Sequence, residues 1–357
     1  MKSRVIFTPI HTVEKLGFSK TIHLMMREAG LLNIYQSGDL VAVKLHFGEK
    51  GNQPPIPPEQ VRVFTEFIRK QGAEPFLTDT CVLYKSQRDN AVKYLRLIQN
   101  FGFTPGKTGA PVIIADGLTG NNETEIKIPG QIFNRVSIAA VAAQSTGLMV
   151  LSHVTGHLGA GMGAAIKNLG MGFASRKGKL RQHSGMKPHV SPADCTGCQV
   201  CLTWCPANAI SMQGKVAEID QEKCIGCGEC LTVCRYYAVK HDWRTGSHEL
   251  QRRIAEHALG VVITKRNKAA YFNFLTSITK DCDCIGKKQR PLISDIGLCV
   301  SNDPVAIDAI SLDLIRDRAG KPLNEMAYPI DPWEQIRHGE KIGLGSSKYE
   351  MVTFKDD

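Results

Sequence analysis

The sequence predicts an α/β protein, a mostly parallel sheet with helices on both faces, interrupted by a small α+β insert. Two observations carry that expectation. Residues 1–175 alternate short strands of branched aliphatics with amphipathic helical stretches, and the alternation resumes after residue 240, as βαβ units do. Between them, residues 191–240 hold eight of the chain's twelve cysteines in two runs of identical spacing. A length of 357 residues allows about two domains, and 43% hydrophobic residues are ample for their cores.

Taken in order, Val5–Pro9 reads as the first strand and a helix is expected over about 14–30. Leu40–Phe47 is the second strand. The helix after it, 58–71, can seat Pro57 and Pro58 in its first turn, and Val61, Phe64, Phe67 and Ile68 recur at helical spacing. Glu74–Asp79, a helix over 87–101, and strands Val112–Asp116 and Leu148–Val154 follow. Beyond the insert come a helix at 247–259, strands near 271–278 and 291–300, and a helix at 304–318 behind Asp303-Pro304. A short helix near Pro332–His338 and a strand at Tyr349–Phe354 close the chain. The α/β domain thus occupies 1–190 and 241–357, with the insert at 191–240.

The insert carries the most specific chemistry. Cys195, Cys198, Cys201 and Cys205 read C-x2-C-x2-C-x3-C and are followed by Pro206; Cys224, Cys227, Cys230 and Cys234 repeat the spacing. This is the bacterial ferredoxin pattern for a pair of [4Fe–4S] clusters, in which each run lends its fourth thiolate to the other cluster. Cys195, Cys198, Cys201 and Cys234 are therefore assigned to one cluster, and Cys224, Cys227, Cys230 and Cys205 to the second. Zinc sites take cysteines as separated pairs, so a third cysteine two residues on in both runs favours the cluster. The segment 210–219 reads as a hairpin around Gln213-Gly214. So small a ferredoxin-like module buries little apolar surface, and its clusters would serve as core and staples. Arg235 stands where the second run would carry proline; its guanidinium beside Cys234 would raise that cluster's potential, unless solvent screens it.

Free thiols and oxygen-labile clusters suit a reducing, cytoplasmic and anaerobic setting. No apolar run approaches the ~18 residues that span a bilayer, and the start shows no signal-peptide cleavage pattern. The net charge of +10 lies outside the near-neutral insert. Its densest patch, Arg176, Lys177, Lys179 and Arg181, lacks interleaved aromatics or a nucleic-acid motif. A small anionic substrate, an acidic redox partner or a solvated linker fits that patch better than nucleic acid.

In open parallel sheets ligands bind beyond the carboxyl ends of the strands. Those ends carry Lys44, His46 and Glu49; Asp79, Thr80 and Cys81; Asp116; and Ser152, His153 and His157. The glycine-rich run Gly159-Ala-Gly161-Met-Gly163 follows, leading to Lys167 and Asn168. Glycines there let backbone N–H groups approach an anion. A dinucleotide reading fails, because no acidic residue appears until Asp194, where the ribose would need one earlier. His46 and His153 are candidate proton-handling groups. Lys167, Asn168, Gly159, Gly161 and Gly163 are candidates for holding an anion. Cys282 and Cys284 could hold an additional metal or act as a redox pair, although C-x-C supplies only half of a four-ligand site.

Several of these segments together resemble the family known as domain of unknown function number 362: Lys44-Leu-His46-Phe-Gly-Glu49, Asp79-Thr80, Ser152-His153 with His157, Ala165-Ile-Lys167-Asn168-Leu-Gly-Met-Gly172, Phe272-Asn-Phe-Leu275, Cys282-Asp-Cys284 and Asp303-Pro-Val-Ala-Ile-Asp308. The resemblance spans nearly the whole chain. It implies an iron–sulfur protein of α/β type, often with a two-cluster ferredoxin insert, and implies no reaction. The expected function is an oxidoreductase relaying low-potential electrons, received from a donor or redox partner protein, through two [4Fe–4S] clusters to a substrate or metal at the strand ends. The alternative is a non-enzymatic electron-transfer or cofactor-maturation protein that docks a redox partner; clusters as mere staples come third.

Overall fold

The computed structural model describes residues 2–183, 187–224, 228–240, 246–265 and 267–354. Eight strands form the central sheet: β1 (Ser3–Pro9), β2 (Leu40–Lys44), β3 (Glu74–Asp79), β4 (Val112–Ile114), β5 (Gly147–His153), β6 (Ala269–Leu275), β7 (Gly297–Ser301) and β8 (Tyr349–Thr353). Their order across the sheet is β8-β1-β7-β6-β5-β2-β3-β4. All contacts are parallel except those of β7, which runs antiparallel to β1 and β6. The carboxyl ends of β2, β3, β4, β5 and β6 therefore meet along one edge.

Side chains alternate along each strand and so feed two cores. Val41, Val43, Met149, Leu151, Phe272 and Phe274 enter one core, where they meet helices Phe18–Glu28, Pro58–Lys70 and Ala91–Asn100. Ala42, Leu148, Val150 and Tyr271 enter the other, under helices Ala165–Gly170, Ser247–Ile263 and Pro304–Ala319. Such strands, buried on both faces, are those of a doubly covered α/β sheet. Among the described residues no helix is long and apolar enough to cross a membrane.

The structure departs from the sequence pattern in four places. The helix expected over 14–30 is two helices, Ile10–Leu16 and Phe18–Glu28, broken at Gly17 with φ 80°. The helix expected from 87 starts at Ala91, because the Asn90 side chain accepts a hydrogen bond from Lys93 N and caps it. That leaves residues 81–90 as a loop over the sheet edge. The strand expected from 291 begins at Gly297. Glu123–Lys127 and Arg135–Ala139 form a hairpin that a half-charged segment did not announce.

The cysteine-rich segment enters and leaves on adjacent strands, His189–Val190 pairing antiparallel with Val239–Lys240. Ile210–Gln213 and Val216–Ile219 form the expected hairpin around Gly214, φ 59°. Its small core joins Cys201, Ala217, Ile219, Cys230 and Leu231 to Leu83 and Leu180 of the α/β part. Gly228, φ 78°, sits so close that a Cβ there would come within 2.1 Å of Leu180 Cδ2. The Tyr237 hydroxyl donates to the Asp89 carboxylate, and Lys177 lies 3.8 Å from Glu229.

Candidate functional site

The strand-end edge gathers most of the candidate residues around one cavity of about 50 Å³, room for a small anion or a water or two. His46, Ser152, His153, Gly163, Lys167, Asn168, Cys282, Asp283 and Cys284 line it. Gly159 and Gly161 do not. They belong to a small hairpin, Thr155–His157 with Gly161–Gly163, where Gly161 (φ 70°) packs against Ile330 and Pro332. Those two glycines serve close packing.

Lys44, at the end of β2, is 1% exposed and bonds Asp79 Oδ1 at 3.0 Å and Asn168 Oδ1 at 2.7 Å. Burial would raise the Asp79 carboxyl, but Lys44, His46, Arg88 and a hydrogen bond from Tyr94 hold it at about 2. Asn168 spends both amide hydrogens on Leu151 O and Ser152 Oγ, each at 3.0 Å. It therefore orients Lys44 and the end of β5 and has no donor left for an anion.

The two candidate histidines are in opposite states. His46 Nδ1 accepts from Gly48 N at 3.1 Å, while Arg88 Nη1 lies 2.7 Å from Nε2. Both neighbours are donors, so the ring has no place to direct a second proton. Burial and then Arg88 push its pKa down to about 3. His153 has two acceptors instead: Asp283 at 3.0 Å on Nδ1 and Thr276 O at 2.8 Å on Nε2. Burial opposes the charge, but Asp283 overrides it and raises the pKa, so the ring is an imidazolium with both protons committed. Asp283 is in turn lowered against its burial by His153.

Arg88 is the residue that sequence reasoning missed. It is 2% exposed and also bonds Glu49 Oε2 at 2.8 Å and Tyr84 Oη at 2.7 Å. Within a segment read as helix it had no spacing to mark it. The basic patch likewise changes character: Lys179 is buried and donates to Thr80 Oγ1 and Ala174 O.

Lys167 differs from all of these. Its amine faces the cavity and has no hydrogen-bond or ion-pair partner among the described residues. Burial lowers its pKa to about 8, helped by Arg88 and Lys44 and opposed by Asp283 and Asp79. Around the cavity four cations, Lys44, Arg88, His153 and Lys167, face three carboxylates, Glu49, Asp79 and Asp283. The surplus positive charge suits a small anion, and Lys167 is the group with a proton to move.

Cys282 and Cys284 are joined as a disulfide, and His157 lies beside them. Cys81 is a buried free thiol, raised first by burial and then by Asp116. Cys299 is buried in β7.

In the insert the remaining cysteines sort into two cavities. Cys195, Cys198, Cys201 and Cys234 line one, together with Val200 and Tyr236. Cys205, Cys224 and Cys230 line the other; Cys227 lies outside the described residues. Burial raises the Cys201 thiol, and its neighbours Cys234, Cys198 and Cys195 add to the effect. Ala217 N and Ala209 N donate to Cys195 Sγ at 3.5 Å and Cys205 Sγ at 3.2 Å. Four sulfurs around one gap, one of them accepting from an amide, form a donor set that fits an iron–sulfur cubane. Arg235 is exposed, so solvent screens its charge from Cys234.

The family described as "Domain of unknown function (DUF362)" matches residues 41–313. Among solved structures, the apoprotein of lactate racemase from Thermoanaerobacterium thermosaccharolyticum is similar at 12% identity, with 51% of this chain and 41% of that one covered and a TM-score of 0.32. A protein from Thermotoga maritima is similar at 7% identity, with 74% of this chain and 50% of that one covered and a TM-score of 0.37. The chain thus spans half or less of the length of either structure. No curated protein matches it.

Proposed function

Because the chain belongs to the family described as "Domain of unknown function (DUF362)", which names no reaction, we propose a function from its site: an iron–sulfur oxidoreductase acting on a small anion held at the strand-end cavity. Cys195, Cys198, Cys201 and Cys234 would hold one [4Fe–4S] cluster, and Cys224, Cys227, Cys230 and Cys205 the second. The observation that carries this reading is the sorting of the described thiols into two cavities: three of the first run with Cys234, the last of the second, and two of the second run with Cys205, the last of the first. Cys227, outside the described residues, completes the second set by spacing. When bound, such clusters supply electrons singly and at low potential.

The chain's own residues do the rest. The amides of Ala217 and Ala209, donating to cluster sulfurs, favour the more negative reduced state. Lys167 attracts the anion's charge and, with its pKa near 8, can give it a proton at neutral pH. Lys44, locked by Asp79 and Asn168, adds positive field without moving. Arg88 fixes the neutral His46, and its neighbour Asp89 receives the Tyr237 hydroxyl of the insert. A short contact chain therefore links the insert to the cavity wall.

The test is an iron and acid-labile sulfide assay on anoxically purified protein, with EPR after dithionite. About eight of each is expected. Cys234→Ser and Cys205→Ser should each lose about half of the iron, from different signals. Zinc in place of iron, or one signal lost in both variants, would overturn the assignment. One observation favours a second reading, an electron-transfer or cofactor-maturation protein that docks a redox partner: the insert exposes Trp204 and Tyr236, at 49% and 52%, and Tyr236 lines the same cavity as exposed Cys198. Undiminished electron transfer in Lys167→Gln, with no small-molecule turnover in either form, would favour it.

A further inference from the structure

Cys282 and Cys284 line the cavity beside Lys167, with Cα atoms 5.4 Å apart and sulfurs joined. The ligand-type atoms of His157 and the two sulfurs all lie within 4.8 Å of one another. By residue type, this trio would suit either a metal ion or sulfur redox chemistry. The hydrogen bonds of His157 decide between them.

Gly159 N and Ala160 N donate to His157 Nδ1 at 3.1 and 2.9 Å. The Nδ1 lone pair is therefore spent, and in the neutral ring the proton sits on Nε2. Burial, with Lys167 and His183 adding to it, keeps the ring neutral. A metal-bound imidazole needs the reverse polarity: a lone pair on the ligating nitrogen and an N–H on the other, given to an acceptor. Here that second N–H would point at two N–H donors. His157 thus offers the sulfurs a proton and no lone pair. Without it, C-x-C supplies two ligands, half of a tetrahedral site.

We infer that Cys282 and Cys284 are a reversible dithiol–disulfide couple, the two-electron store of this site. In the forward step the S–S bond breaks, two electrons enter and two protons are taken up, giving two thiols. The reductant is a low-potential one-electron carrier, two equivalents per turnover, and on the reading above its electrons pass through the two clusters. The protons come from solvent, by way of His157, which has a ring nitrogen within 4.8 Å of both sulfurs, and the Lys167 ammonium of the same cavity. In the reverse step the thiols rejoin and pass two electrons and two protons to the bound substrate. The loop keeps the pair together: Asp283 between them is tied to His153 at 3.0 Å, and Asp281 N donates to Gln289 Oε1 at 2.8 Å while Asp281 accepts from Tyr328. A couple held this way recloses without a search through loop conformations.

The test equilibrates the full-length protein, purified anoxically, in dithiothreitol redox buffers of stepped potential. After an acid quench, free thiols are alkylated under denaturing conditions and the peptide carrying residues 282–284 is weighed. The expected result is no label at the oxidising end and two at the reducing end. They should appear together at one midpoint with a two-electron slope, and Cys282→Ser should leave Cys284 labelled throughout. Two labels at every potential, or a stoichiometric metal that departs in Cys282→Ser, would overturn the couple. Because dithiothreitol reaches the pair without the clusters, the two readings fail separately. Iron-free protein with a titrating pair would sink the cluster assignment and keep the couple. Eight irons with thiols that never join would do the opposite.

Discussion

Lys167 gives the sharpest quantitative expectation. Its pKa of about 8 lies well below the usual ~10.4 of a lysine. At pH 7.5 an amine with that pKa is about one quarter neutral, whereas an ordinary lysine is neutral to about one part in a thousand, a difference of about two hundred-fold in nucleophile. Trace reductive methylation with formaldehyde, read by peptide mass spectrometry against a free blocked lysine in the same tube, measures it. Restricted access to the cavity lowers the absolute rate at every pH alike, so the midpoint of the pH profile is the quantity to compare. It should fall near 8 in the native protein and move to the ordinary range on unfolding. Arg88→Gln supplies the second arm. Arg88 is one of the cations lowering Lys167, and its loss also frees the Glu49 carboxylate it now pairs with at 2.8 Å. Both changes favour the ammonium, so the midpoint must rise. A native midpoint near that of free lysine, or an Arg88→Gln profile that stays put, would refute this account of the cavity's field.

Three further expectations concern how the site is held. Lys44→Met should cost about 3–5 kcal/mol in urea unfolding, because it strands a buried carboxylate, and adding Asp79→Asn should recover most of that. The raised pKa of His153 means a stabilising contribution fully present below the ordinary histidine value and lost as pH rises through the raised one; Asp283, held low, contributes above the ordinary carboxylate value. The melting-temperature gap between wild type and Asp283→Asn should therefore be widest at mildly acidic pH and close as pH rises. Gly228→Ala should destabilise by about 1–3 kcal/mol through overpacking and a strained φ, and Leu180→Ala in the same chain should relieve the packing share, since the new Cβ would meet Leu180 Cδ2 at 2.1 Å.

What could be read from the sequence depended on whether the signal was periodic or tertiary. Strand and helix positions repeat at two and at about 3.6 residues, so the strands holding Lys44, Asp79 and His153 were found nearly to their ends. The cysteine runs are legible by their spacing alone. Arg88 carries no such mark: the loop that delivers it exists because Asn90 caps the next helix, and its partners His46 and Glu49 lie about forty residues upstream. The protonation states were equally hidden. His46 and His153 look alike in sequence, yet one faces two donors and the other two acceptors, and only the fold assigns those partners. The glycine-rich run shows the converse hazard. Its place after a strand suggested an anion cradle, but Gly161 is there for its φ of 70° and for contact with Pro332.

Both thiol cavities of the insert are tied by contacts to the α/β part. The cavity lined by Cys195, Cys198, Cys201 and Cys234 has exposed Cys198, Val200 and Tyr236 on its rim. The cavity lined by Cys205, Cys224 and Cys230 includes Gly228, the residue pressed on Leu180. Leu180 belongs to the helix that carries Lys179, whose amine bonds Thr80 at the end of β3. Tyr237, between Tyr236 and Ala238 of the first cavity, reaches Asp89, next to Arg88, which touches His46 on the wall of the strand-end cavity. One string of contacts thus runs to the strand ends from each thiol cavity, while Cys198 of the first is exposed. Under the proposed function, the exposed rim at Cys198 is where an external donor would meet the insert, and the two strings of contacts are where the insert would meet the strand-end cavity.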